Sequence, residues 1–120
     1  MPDELKTSTD AVTSARQEGD TLILRVKGEI DLHASPDLRT DLLALLQKTN
    51  AKKLVLNLTD VPYMDSSAVA VMVEAMQRLR KVGGKVCLTN LAPRVKGLLE
   101  IARLTSIFTV CEDEAAALKQ

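Results

Sequence analysis

Apolar residues recur along the chain with two different periods, and the alternation between them defines the elements. Residues up to about Asp10 show no period and are rich in Thr, Ser and Asp, so 1–10 reads as a flexible tail before a weak first strand over Val12 to Gln17. Glu18, Gly19 and Asp20 form a turn. Thr21 to Lys27 then sets Leu22, Leu24 and Val26 on one face, with Ile23 the one strongly apolar residue opposite. The two strands are expected to pair as a hairpin.

The period then changes to that of a helix. Ser35 followed by Pro36 is a start signal, with the serine oxygen as expected cap and proline where no N–H is needed. A helix to about Lys48 carries Leu38, Leu42, Leu45 and Leu46 on one side, with Arg39, Asp41 and Lys48 away from that stripe. Lys53 to Leu58 is a mostly continuous apolar run, as expected of a central parallel strand covered on both faces. After a loop, Asp65, Ser66 and Ser67 open a second helix with Val69, Met72, Val73, Met76 and Leu79 inward, closed by Gly83 and Gly84. Lys85 to Thr89 reads as a strand, Pro93 starts a helix with Val95, Leu98, Leu99 and Ala102, Ile107 to Val110 reads as a short strand, and Glu112 to Leu118 as a terminal helix with acidic residues at its favourable end.

Strand–helix alternation at this spacing requires right-handed crossovers and a parallel sheet. The expected class is α/β: one domain over 11–120, with a mainly parallel four- to five-stranded sheet and helices mostly on one face. The 120 residues, 46% hydrophobic and 27% charged, suffice for a core without disulfide or metal staples.

Charge and composition remove several functions. Sixteen basic residues cancel sixteen acidic ones, which argues against a direct nucleic-acid partner, and aromatics at 2% leave no stacking platform for single-stranded bases. No apolar run approaches a membrane span and the opening MPDELKTSTD lacks an apolar signal segment, so no membrane partner and a cytoplasmic location are expected. Cys87 and Cys111 read as buried free thiols.

Little enzyme chemistry is written here. The single histidine, His33, lies in the segment leading into the first helix and reads as solvent-facing, not as the base of a Ser/His/Asp set. One His and two separated Cys form no metal site, no Gly-rich phosphate cradle is present, and Asp60 and Asp65 are accounted for by loop solvation and helix capping. No cofactor, no metal and no catalysis are expected.

The informative segment is Val61 to Ala68, which follows a buried strand and opens a helix at the end of the sheet where functional loops gather. On its residues alone, Asp-Ser-Ser before an apolar run is a helix cap. With its neighbours it resembles the STAS domain family, and within it the bacterial anti-sigma factor antagonists. Gly28, Glu29, Ile30, Asp31 resembles one signature; Leu56, Asn57, Leu58 with Met64, Asp65, Ser66, Ser67 resembles a second; Gly83 with Gly84, and Pro93 with Val95 and Leu98, fall in the family's order. The similarity runs from about Leu22 to Leu118.

The resemblance implies a non-enzymatic binding module whose Ser66 is phosphorylated by a partner that is both serine kinase and anti-sigma factor, with a serine phosphatase as a further partner. Ser67 is the neighbouring hydroxyl position, Asp65 the preceding acid, and Ala68 departs from the family's more usual glycine. The partner surface it implies comprises Asp31, His33, Met64, Asp65, Ser66 and Ser67. A STAS structural subunit of a lipid-transport or stress-signalling complex is the alternative. Oligomeric state is left open.

Overall fold

The structure, a computed structural model, describes residues 3–7 and 9–120. A six-stranded sheet in the order β1-β2-β3-β4-β5-β6 is formed by β1 (Asp3–Glu4), β2 (Val12–Glu18), β3 (Thr21–Lys27), β4 (Lys53–Asp60), β5 (Lys85–Thr89) and β6 (Thr109–Cys111). The helices are α1 (Ser35–Thr49), α2 (Ser66–Arg80), α3 (Pro93–Ile101) and α4 (Glu114–Leu118). β2 and β3 form the antiparallel hairpin, and β3 to β6 run parallel. The expected mainly parallel α/β sheet is therefore present.

Part of the segment expected as a loose tail is ordered against the sheet. β1 pairs antiparallel with β2, and the Leu5 amide donates to the Ala15 carbonyl. Met1, Pro2 and Ser8 lie outside the described residues.

The period-two patterns become rows across the parallel strands. Leu22, Leu54 and Val86 stand side by side, as do Leu24, Leu56 and Leu88, all in the core beneath α1, α2 and α3. Ile23, Val55 and Cys87 form the row between them on the opposite face, where Ala117 of α4 covers them. β4 is buried on both faces because it lies between β3 and β5 under both layers, which is why its sequence is continuously apolar. α4 is tied down by Glu114, which accepts from Asn57 Nδ2 at 2.7 Å and Arg16 Nη2 at 2.6 Å.

Two expectations for α1 are corrected. Ser35 is not its cap: it lies buried in the first turn, Ala34 is the N-cap residue without a side-chain bond, and Asp31 Oδ1 instead accepts from the amides of His33 and Ala34. Asp41 does not face away from the apolar stripe. It is only 2% exposed, and its Oδ2 accepts from the Thr9 amide at 3.2 Å and hydroxyl at 2.5 Å. Hydrogen bonds offset the cost of burying that carboxylate and hold the segment before β2 against α1.

The glycine pair works as expected but by two mechanisms. Gly83 takes the left-handed conformation, φ +74°, past the end of α2. Gly84 donates to Leu79 O, and a Cβ on it would lie 1.8 Å from the Lys52 carbonyl oxygen. That close approach joins the start of β5 to the start of β4.

Candidate functional site

The site is built where the chain leaves the carboxyl ends of β3 and β4. Gly28, φ +85°, turns the chain out of β3, and its amide donates to Asp60 O at the end of β4. Arg25 Nε reaches Asp60 Oδ2 at 2.8 Å beside that contact. Beyond it, Ile30 and Met64 form an isolated parallel bridge in which the Ile30 amide donates to Tyr63 O and the Asp65 amide donates to Ile30 O. The two signature segments, Gly28 to Asp31 and Met64 to Ser67, thus meet through their backbones.

Asp65 then joins them through its side chain. As N-cap of α2 it accepts on Oδ1 from the Ser67 amide at 2.9 Å and the Ser67 hydroxyl at 2.5 Å. Its Oδ2 accepts from the Leu32 amide at 3.0 Å. The Ser67 hydroxyl, aided by the amides of Ser67, Ala68 and Leu32, holds the Asp65 carboxyl below the usual carboxylate range despite partial desolvation. The group is therefore an anion at neutral pH.

Ser66 is the first residue of α2 and is exposed, its hydroxyl taking no part in these bonds. Ser67 is half-buried and engaged with Asp65, so the two adjacent hydroxyls differ in availability. Ala68 is fully buried. Asp31 and His33 line a shallow open depression with Leu32 and Asp65.

One member of the expected partner surface is removed. The Met64 side chain is only 2% exposed and belongs to the core, so it anchors the loop from beneath and presents nothing to a partner. The large apolar side chain exposed here is one that pattern reading passed over: Leu32, 75% exposed between Asp31 and His33. A single leucine in a loop has no periodicity to mark it. Arg94, whose guanidinium lies 4.4 Å from the Tyr63 ring centroid, is likewise visible only in three dimensions.

Among the described residues no three His, Cys, Asp or Glu side chains converge as a metal site, and no helix is long and apolar enough to cross a membrane. Cys87 is buried, which pushes its thiol pKa up, and Cys111 is half-buried; both are free.

This arrangement is a sheet-and-helix domain with a capped helix start where its two signature loops meet, and the chain belongs to the STAS domain family, whose model matches residues 13–117. Within that family it is similar to the anti-sigma-B factor antagonist of Bacillus subtilis, 33% identical over 79% of this chain and 85% of the relative. It is also similar to the anti-sigma F factor antagonist of Paenibacillus polymyxa, 29% identical over 82% of this chain and 85% of the relative. Among solved structures, the fold matches an anti-sigma factor antagonist from Mycobacterium paratuberculosis with a TM-score of 0.80 at 20% identity, covering 95% of this chain and 97% of that one. It matches the Bacillus cell fate determinant SpoIIAA in its phosphorylated form with a TM-score of 0.65 at 20% identity, covering 99% of this chain and 98% of that one.

Proposed function

We propose that this protein is an anti-sigma factor antagonist: unphosphorylated, it binds an anti-sigma factor that is also a serine kinase and frees a sigma factor, and phosphorylation of Ser66 switches it off. It acts as a non-enzymatic partner in the cytoplasm, and a serine phosphatase restores it. The observation that carries this reading is the contrast at the start of α2, where Ser66 is exposed with its hydroxyl unengaged while Ser67 is bonded to Asp65. The names of the similar proteins point to the same class of partner.

Charge accounts for the switch. A phosphate adds about 1.5 to 2 negative charges at neutral pH. A helix N-terminus stabilises an anion by at most about 2 kcal/mol, so the modified domain stays folded. At an interface fitted to a neutral hydroxyl beside the Asp65 anion, the same charge left unpaired costs several kcal/mol, and each ~1.4 kcal/mol is tenfold in affinity.

The test is to incubate the protein with its cognate kinase and ATP and to map the product by mass spectrometry. One phosphate on Ser66, absent in Ser66→Ala, is expected, together with weaker binding of the modified form and unimpaired binding of Ser66→Ala by calorimetry. Phosphate on Ser67 or Thr59 would move the site. Equal affinities of modified and unmodified forms would remove the switch.

A further inference from the structure

Leu32 is a large apolar side chain left 75% exposed, and its exposure is not that of a loose loop. Its own amide is held by Asp65 Oδ2 at 3.0 Å. The next two amides, of His33 and Ala34, are held by Asp31 Oδ1, each at 3.0 Å, and the Asp31 carbonyl accepts from Ala34 and Ser35. The backbone on both sides is fixed, so the side chain is presented to solvent at little further cost in conformational entropy when something covers it. Leu32 also shares its depression with Asp65, the residue that caps the helix carrying Ser66.

Among the described residues, the other large exposed apolar side chains lie elsewhere. Val82 follows the far end of α2, Ile101 ends α3, Val110 is on β6 and Leu118 is on α4.

We infer that Leu32 is the apolar anchor through which the anti-sigma partner recognises this face, so that affinity and modification are carried by different side chains, Leu32 and Ser66. The inference rests on the antagonist reading above and deepens it. The occupant of the anchor site is an apolar pocket on that partner, and the carboxylates of Asp31 and Asp65 in the same depression call for cationic groups at the pocket's rim. Full burial of a leucine side chain corresponds to roughly ten- to a hundredfold in affinity.

The experiment compares the wild type, Leu32→Ala and Leu32→Met for binding to the cognate anti-sigma factor, for Ser66 phosphorylation kinetics and for thermal stability. Leu32→Ala is expected to bind about ten- to a hundredfold more weakly, to raise KM for phosphorylation with kcat unchanged, and to melt with the wild type. Leu32→Met should restore most of the affinity, because it keeps the apolar bulk. In high salt the ratio of wild type to Leu32→Ala should persist while both affinities fall, since only the carboxylate rim is screened. Wild-type affinity in Leu32→Ala, or a clear drop in its melting temperature, overturns the anchor and leaves the antagonist reading standing. A wild type that binds no anti-sigma factor removes both.

Discussion

Arg39 and Glu74 meet as a two-pronged fork between α1 and α2, Nε donating to Oε1 and Nη2 to Oε2, both at 2.8 Å. The pair borders a groove that also includes Ser35, Pro36, Ser67, Ala70 and Val71, so it bridges the two helices near the start of α2. Both side chains are more than one-third exposed, which leaves solvent and salt free to screen them. Arg39→Ala and Glu74→Ala should each lower the melting temperature slightly, and the double variant should be no less stable than the worse single. A double variant showing the sum of both losses would mean that the two residues act independently.

Gly84 and Gly97 should respond in opposite directions to alanine. At Gly84 the added Cβ would meet the Lys52 carbonyl oxygen at 1.8 Å, so backbone must move and a loss of at least about 1–3 kcal/mol is expected. Gly97 lies inside α3 with nothing within 4 Å of its Cβ position, and Gly97→Ala should stabilise by roughly 0.5–1 kcal/mol. Chemical denaturation of the two variants measures both. A harmless Gly84→Ala would show that the β4–β5 start is not closely packed.

Met64 should behave as a core residue despite its place in the signature. Truncation to alanine leaves a cavity under the Ile30–Met64 bridge and should cost about 2–5 kcal/mol. Met64→Leu nearly conserves volume, should cost under about 1.5 kcal/mol and should bind the partner normally. Loss of binding in a Met64→Leu protein of wild-type stability would return Met64 to the partner surface.

The Asp65 cap should make the start of α2 acid-sensitive. Because its folded pKa is depressed, its contribution to stability is present above the unfolded carboxyl value, about 3.9, and is lost as pH falls through the lower folded value. The melting-temperature gap between wild type and Asp65→Asn should hold steady from neutral pH down to about 4 and narrow below it. A gap unchanged through that acid range would show that the charge of Asp65 contributes nothing to the cap.

For the apolar rows of the sheet and for the start of α2, the reading and the structure agree. Leu22, Leu24 and Val26 align with the rows of β4 and β5, the run Leu54 to Leu58 is central, and Asp65 caps the helix that Ser66 begins. The differences arise where a side chain outside the expected pattern takes the hydrogen bond, within one turn or across the fold. Ser35 gives up its expected capping role because Asp31 reaches the free amides first, and Asp41 turns inward because Thr9 arrives from a segment that shows no pattern of its own. α4 begins at Glu114, after Asp113, whose side chain accepts from the Ala116 amide, and not at Glu112.

The sequence by itself determined the class of the domain, the order of its elements and the position of Ser66 at a helix start, because periodicity, caps and glycine stops act over a few residues. The tertiary structure decided which signature residues face outward. Met64 and Leu32 are both apolar residues beside an aspartate, and nothing local separates them. Pairing Ile30 with Met64 buries the methionine, while the bond from the Leu32 amide to Asp65, 33 positions away, holds the leucine's turn at the surface with its side chain exposed. Exposure is settled by what packs against a residue, and that is known only once the two loops have met.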